Sequence, residues 1–279
     1  MTPTETRIAA ADGVGLFVRT YHPAAPGARK TIVLVHGAME HGGRYTEFAE
    51  AAATRGYEVV VPDLRGHGRS EGVRCHVDCG SQYLDDLSRL LDAFQLPPQA
   101  TALLGHSLGG LIAIRFAETC PQRLRALVAT APLLGLSVPI PAYILWLGRW
   151  LSILAPRTRF RDRIRPEMAT RNVEVLAQRA ADPLIITSVT ARWYFEALAA
   201  IGQAHAAASQ FRPPALVLQG AADRVTDVAA AERWVAATGN AAVAWHSFAG
   251  QLHELLFEPE RAETYRLIFT WLNQQFDGP

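Results

Sequence analysis

Leu103-Leu104-Gly105-His106-Ser107-Leu108-Gly109-Gly110 joins two different periodicities. Before it, Thr101 to Leu104 is a short run of strand character. After it, Leu111, Ile112, Ile114 and Phe116 are available for the buried face of a helix. A Gly-x-Ser-x-Gly turn between a strand and a helix strains the serine and lifts its Oγ above the sheet edge. Gly105 and Gly109 are expected where strand and helix meet too closely for a Cβ. Ser107 is therefore the candidate nucleophile, and its neighbours decide whether that role has partners.

Working outward, the same strand-then-helix rhythm recurs. Ile8 to Ala10 and Leu16 to Tyr21 flank Asp12-Gly13, a hairpin signal. Thr31 to Val35 and Tyr57 to Val61 are β-branched runs suited to strands buried on both faces. Helical spacing covers Gly43 to Arg55 and Gly80 to Phe94, and a strand is expected at Ala126 to Thr130. Ala215 to Gln219 and Ala242 to Phe248 complete the strands, with helices at Ala229 to Ala237 and Pro259 to Phe276. This alternation predicts an α/β fold with an open, mostly parallel sheet and helices on both faces. Ligands bind such sheets beyond the carboxyl ends of the strands. His36, Asp63 and Ser107 all follow strand ends and are expected to share that rim.

Between Pro132 and Pro214 the rhythm stops, and helical patterns without a clear buried strand take over. The expected organisation is a core of residues 1–133 and 214–279 with a helical cap inserted at 134–213. Leu134 to Ala155 is strongly apolar, but Pro139, Pro141 and Arg149 interrupt it, so a helix covering an apolar pocket is expected rather than a membrane span. Arg157, Arg159, Arg161, Arg163 and Arg165 suit either a solvated basic face or an anionic membrane surface, so transient membrane contact through the cap stays open.

A net charge of +1 over 279 residues argues against a nucleic-acid partner. Met1 to Asp12 lacks a signal-peptide pattern, and Cys75, Cys79 and Cys120 lack a secreted disulfide framework, which points to a cytoplasmic protein. Cys75 and Cys79 could begin a metal site, but nothing completes four ligands; no metal and no cofactor are expected. Oligomeric state is not legible.

A serine hydroxyl needs a histidine base, and that histidine needs a carboxylate to fix its tautomer. In this kind of sheet the chain order is serine, acid, histidine. Asp223 and His253 meet it, each just after an expected strand, with Asp227 as the nearest rival acid. The developing oxyanion needs two N–H donors; Leu108, following the serine, and Ala38, in the loop after His36-Gly37, are the candidates. His36 and His67 are expected to brace their loops.

Five segments extend this reading: His36-Gly37-Ala38-Met39-Glu40-His41-Gly42-Gly43-Arg44-Tyr45, Asp63 to Gly72, Gly105 to Gly110, Leu218 to Arg224, and His253-Glu254. Together with Arg171-Asn172 and Asp182-Pro183-Leu184, they make the chain resemble the α/β-hydrolases of the monoacylglycerol lipase group, which includes lysophospholipase and serine aminopeptidase-like proteins. The resemblance implies Ser107, Asp223 and His253 as catalytic residues, and Ala38 with Leu108 as the oxyanion hole. It also implies Glu40, Arg44 and His106 near the glycerol end of a pocket, although Glu40 and Arg44 could equally be a structural ion pair. The chain departs from the group at Gly42 (commonly serine), at Leu256 (histidine in some members) and at Arg179 (tyrosine in some lipases). The implied activity is hydrolysis of a small lipid ester, first a monoacylglycerol. Lysophospholipase and broad carboxylesterase are the alternatives, and a non-catalytic lipid-binding protein is the remote one. No acidic cluster stands out to hold a peptide amine.

Overall fold

The computed structural model describes residues 2–23, 30–137, 141–161 and 164–277. The core strands and helices in chain order are β1 (Thr4–Ala9), β2 (Gly15–Tyr21), β3 (Lys30–Val35), α1 (Thr46–Ala53), β4 (Tyr57–Pro62), α2 (Ser81–Ala93), β5 (Thr101–His106), α3 (Leu108–Thr119) and β6 (Ala126–Thr130). The interval expected as the cap, and called so below, follows with α4 (Ala142–Leu154), β7 (Arg159–Arg161), α5 (Val173–Ala181), β8 (Ser188–Thr190) and α6 (Ala191–Ala207). The chain returns to the core through β9 (Ala215–Gly220), α7 (Val228–Thr238), β10 (Val243–Phe248) and α8 (Arg261–Asp277).

Eight strands form one sheet in the order β1-β2-β4-β3-β5-β6-β9-β10. The β1–β2 and β2–β4 pairs are antiparallel, and every other pair is parallel. Alternation along each strand sorts side chains to the two faces. Val33, Val35, Leu103 and Leu127 pack with α2, α3, α6 and α7. Ile32, Leu34, Leu104 and Val128 pack with Phe48 of α1 and Ile268, Phe269 and Leu272 of α8.

The central pair β3–β5 is where the topology reverses. After β3 the chain turns through α1 to β4 on one side; after β5 it turns through α3 to β6 on the other. Loops leaving in opposite directions open a crevice at the strands' carboxyl ends. The His36-Gly37-Ala38 loop and the Ser107 turn stand on either side of it.

Three differences from the sequence reading are physical. The helix expected at Gly43 begins with a 3₁₀ turn, Gly42–Tyr45, before α1. The cap contains a short antiparallel ladder, β7 with β8, too exposed on β7 to show a buried-strand pattern. α4 does not bury its apolar surface: Tyr143, Trp146, Leu147, Trp150, Ile153 and Leu154 are exposed, and Ser152 is its buried residue. With apolar residues on nearly all sides, only the stripe around Gly148, which meets Phe195 of α6, finds cover. A cavity of about 260 Å³ lies instead between α2, α3 and α6, bounded by Leu108, Leu111, Ile112 and Trp193. Leu134 and Leu136, at the expected start of the cap, pack into the core, as do Ala204 and Ala208 near its end. Among the described residues no helix is long and apolar enough to cross a membrane. Pro139 and Arg163 lie outside the described residues.

The tightest packing is at the β5–α3 turn. A Cβ on Gly105 would stand 2.2 Å from Gly109 O, and one on Gly109 would stand 2.1 Å from Val35 O. Those neighbours are backbone and cannot swing aside. Gly202, inside α6, has nothing within 4 Å of its Cβ position. Urea unfolding should therefore separate the two sites. Gly109→Ala loses about 3 kcal/mol or more through overpacking, whereas Gly202→Ala gains up to about 1 kcal/mol from helix propensity.

Candidate active site

Ser107 is the residue between β5 and α3, and its backbone is forced into the left-handed region, with φ 51° and ψ −115°. Such a conformation in a non-glycine residue costs on the order of 1–3 kcal/mol and persists only where its surroundings impose it. Here they do. Ser107 N–H donates to Thr130 O, and Ser107 O accepts from the Leu111 and Leu133 amides, each at 3.0 Å. Leu108 N–H opens α3 and, by position, has no acceptor within the helix.

Across the crevice, the loop after β3 presses against this turn. A Cβ built on Gly37 would lie 3.4 Å from Ser107 Cβ and 3.1 Å from His106 Cδ2. Gly37 N–H donates to Glu40 Oε1 at 2.7 Å, and Gly37 O accepts from His36 Nδ1–H at 2.7 Å. Met39 holds a positive φ of 61°, and its carbonyl accepts the Ile186 amide of the cap at 2.9 Å. Ala38 N–H has no acceptor among the described residues, and neither do the Met39, Glu40 and His41 amides that follow it; Ala38 is the one next to Gly37, which lies against Ser107. Ala38 and Leu108, on the two sides of the crevice, thus both carry N–H groups without an acceptor among the described residues.

His253 follows β10 and lies on the same rim. Its Nδ1–H donates to Asp223 Oδ2 at 2.8 Å, and its ring centroid is 4.7 Å from that of His106. Asp223 is fully committed. Oδ2 also accepts from Gln219 Nε2 and Thr226 Oγ1, each at 2.7 Å, while Oδ1 accepts the Val225 and Thr226 amides at 2.7 and 3.1 Å. Burial acts to raise the Asp223 pKa, but His253 and these donors outweigh it and bring it down to about 2. Burial likewise acts to lower the His253 pKa, and Asp223 reverses that, raising it above its ordinary 6.5. Asp227, the rival acid, instead caps α7 by accepting from Ala230 N–H. Among the described residues no hydrogen bond joins Ser107 Oγ to His253; in unliganded sites that bond is often long and tightens with substrate.

Glu40, Arg44 and His106 form the polar flank. Glu40 Oε1 accepts from Tyr45 Oη–H at 2.6 Å as well as from Gly37, and Oε2 pairs with Arg44. Arg44 also forks onto Glu254 at 2.8 and 3.1 Å, stacks 4.5 Å over the Phe257 ring, and is nearly buried. Burial acts to raise the pKa of both carboxyls, yet Arg44 holds Glu40 and Glu254 below their usual range. Arg179 of α5 reaches Glu254 from the cap at 3.4 Å. His106 Nδ1–H points at Thr130 O and Oγ1, each 3.2 Å away, and burial followed by the His253 charge lowers its pKa to about 4. It is therefore neutral at physiological pH.

The loop histidines are bound as bracing groups. His36 Nε2 accepts the Leu64 amide at 2.9 Å, and His67 Nδ1–H donates to Arg65 O at 2.9 Å. His41 Nε2–H donates to Asp182 Oδ2 at 2.7 Å, tying the loop after β3 to the cap. Two features escaped the sequence reading: the Arg44–Glu254 bridge, and Glu258, a fully buried carboxylate that binds Thr170 and Arg171 of the cap. The only local signals were that Glu254 adjoins His253 and that Arg171-Asn172 matches a motif.

Residues 26–260 match the family described as serine aminopeptidase, S33. The phospholipase YtpA of Bacillus subtilis is 31% identical over 248 residues, covering 87% of this chain and 95% of that protein. The monoacylglycerol lipase of Mycolicibacterium smegmatis is 28% identical, covering 97% of each. The crystal structure of Paleococcus ferrophilus monoacylglycerol lipase superposes with a TM-score of 0.86 at 29% identity, covering 93% of this chain and 99% of that one.

The linked shifts of Asp223 and His253 set a pH window. The depressed Asp223 stabilises the fold above its ordinary 3.8, an effect lost as pH falls toward 2. The raised His253 stabilises below 6.5, an effect lost as pH rises through its folded value. Asp223→Asn should remove both, so its stability deficit is widest between about pH 4 and 6.5. NMR titration should place the His253 pKa above 6.5 in the wild type and lower in the variant, where burial is opposed only by the charges of Glu254 and Glu40.

Proposed function

We infer that this chain, which belongs to the serine aminopeptidase S33 family of α/β-hydrolases, cleaves carboxylic esters with Ser107 as nucleophile. The observation that carries the residue assignment is the His253 Nδ1–Asp223 Oδ2 hydrogen bond, 2.8 Å long, on the rim shared with the strained Ser107. Asp223 fixes the tautomer that leaves His253 Nε2 as the base. His253 takes the proton of Ser107 Oγ as it attacks the ester carbonyl, then returns it to the leaving alcohol. Ala38 and Leu108 N–H groups bind the tetrahedral oxyanion, and donors already in place act without reorganising. Water, activated by the same histidine, then releases the acid from the acyl-enzyme.

The preferred substrate is a monoacylglycerol, the reading favoured by the lipases this chain is similar to. His106, neutral and with no hydrogen bond to Nε2 among the described residues, offers an acceptor to a glycerol hydroxyl. Glu40 and Arg44 support that end by shaping the loop that carries Ala38. Residues 134–213 act as the cap over residues 1–133 and 214–279. The exposed apolar face of α4, beside exposed Arg149, Arg157 and Arg161, supports docking of a cytoplasmic enzyme on anionic membranes to collect lipid substrate.

Steady-state hydrolysis of 1-monoacylglycerols of increasing chain length, beside lysophosphatidylcholine and a matched methyl ester, tests the substrate. Preference for monoacylglycerol over methyl ester is expected; equal rates would reduce the reading to general carboxylesterase. Ser107→Ala should lose about 10⁴-fold or more in kcat, and a variant that hydrolyses p-nitrophenyl esters like the wild type would sink the assignment. For the membrane, Trp146→Ser/Leu147→Ser/Trp150→Ser should abolish co-sedimentation with phosphatidylglycerol vesicles while leaving hydrolysis of a water-soluble short-chain ester intact. Unchanged vesicle binding would remove α4 from the proposal.

A further inference from the structure

Besides the Arg44–Glu254 bridge and the His253–Asp223 bond, the loop that carries His253 is held by one carboxylate from its own far end and by the stem of the cap. Glu258 is completely buried. Its Oε1 accepts from Thr170 Oγ1–H and from Arg171 N–H, each at 2.7 Å. Its Oε2 accepts from Arg171 Nε–H at 2.6 Å and from Leu252 N–H at 3.3 Å. Leu252 immediately precedes His253. On the other side, Glu254 N–H donates to Ala169 O at 2.8 Å, and Asn172 Nδ2–H donates to Phe257 O at 2.9 Å. His253 is thus bracketed: the amide before it is fixed by Glu258, and the amide after it by the cap stem.

We propose that Glu258 is a positioning residue for His253, and that through Thr170 and Arg171 it makes the placement of that histidine depend on the seating of the cap. This rests on the assignment of His253 as the base. Each of the four donors offsets part of the cost of burying this carboxylate, so losing any of them weakens its hold on the others. Moving the stem at 169–172 therefore releases both ends of the histidine loop together. The cap is not an independent lid at this stem; it is part of the frame that aims the His253 ring at Ser107 and Asp223. The remaining contacts between cap and core at the loop after β3, His41 to Asp182 and Ile186 to Met39, join the opposite wall of the crevice to the same cap.

Glu258→Gln is the direct test. The amide keeps the shape but turns one acceptor into a donor, which must then face either Leu252 N–H and Arg171 Nε–H or the Thr170 and Arg171 N–H pair. Misplacing a reacting group by about 1 Å costs on the order of 10²-fold. The expected result is a kcat loss of about 10- to 100-fold with KM changed less than about two-fold, since the substrate contacts remain. The acid limb of the kcat/KM profile should move to lower pH, because a histidine drawn away from Asp223 stays buried beside His106 and keeps only Glu254 and Glu40 as counter-charges. A purely structural loss would lower the unfolding temperature and the amount of active enzyme without moving that limb. Thr170→Val removes one cap donor, together with the 3.1 Å acceptor of Asn172 N–H, at nearly constant size; it should shift kcat and the limb in the same direction by a smaller factor, and it decides the matter if Glu258→Gln does not fold. Wild-type kcat and an unmoved limb in both variants would overturn the proposal. His253→Ala, run in the same assay, tells the two readings apart: its retained activity would discard the base assignment itself, whereas its inactivity with unaltered Glu258 and Thr170 variants would discard only the positioning role.

Discussion

Three backbones converge at the end of β5, and no side chain fits between them. Gly105 lies against Gly109 O, and Gly109 lies against the carbonyls of Val35 and His36, at separations that exclude a Cβ. This contact lets α3 begin immediately above the sheet edge, directly beside the loop that leaves β3. The strain at Ser107, the free amide of Leu108 and the nearness of Gly37 are consequences of it. Were α3 set back by the width of a methyl group, the serine turn would relax and Gly37 would no longer lie against Ser107.

Around that junction, buried charges hold the loops. Asp63 accepts from Arg19, from Gly42 N–H and from Arg69 N–H, which fixes the loops after β3 and β4 to each other. Glu40, Arg44, Glu254 and Arg179 form a chain of two carboxylates and two guanidinium groups reaching from the loop after β3, through the residue next to His253, to the cap. Such clusters add little net stability compared with apolar packing, but removing one member leaves an unpaired buried charge and costs about 3–5 kcal/mol. Their contribution is geometric. They define one arrangement of loops that lack regular secondary structure.

The cap divides into two kinds of surface. Its stem and α5 are hydrogen-bonded to the histidine loop, and residues 182 to 186 to the loop after β3, so this half moves only if the crevice itself changes. α4 is the opposite case, with its large apolar side chains facing outward and one stripe against α6. Under the proposed function this division has a use: the hydrogen-bonded half would preserve the aim of the catalytic groups while the apolar face of α4 would be free to meet lipid.

Much of this was legible in the chain. Short apolar, β-branched runs and a hairpin signal marked the strands, and the Gly-x-Ser-x-Gly turn marked the strand-to-helix junction, because these signals are local. The order Ser107, Asp223, His253 followed once the strands were placed, and the structure brings Asp223 and His253 into hydrogen-bond contact. What the chain could not disclose were contacts between distant residues of ordinary type. Arg44 meets Glu254 across 210 positions, and Arg171 meets Glu258 across 87. No spacing encodes those pairs. Nor could hydrophobicity say which side of α4 would be covered, since its apolar residues lie all round the helix and only packing against α6 selects one stripe. Sequence alone determined the elements and the order of the chemical groups, because those depend on neighbours in the chain. Tertiary structure decided which carboxylates hold loops and which apolar face remains open, because those depend on which segments the folded sheet brings together.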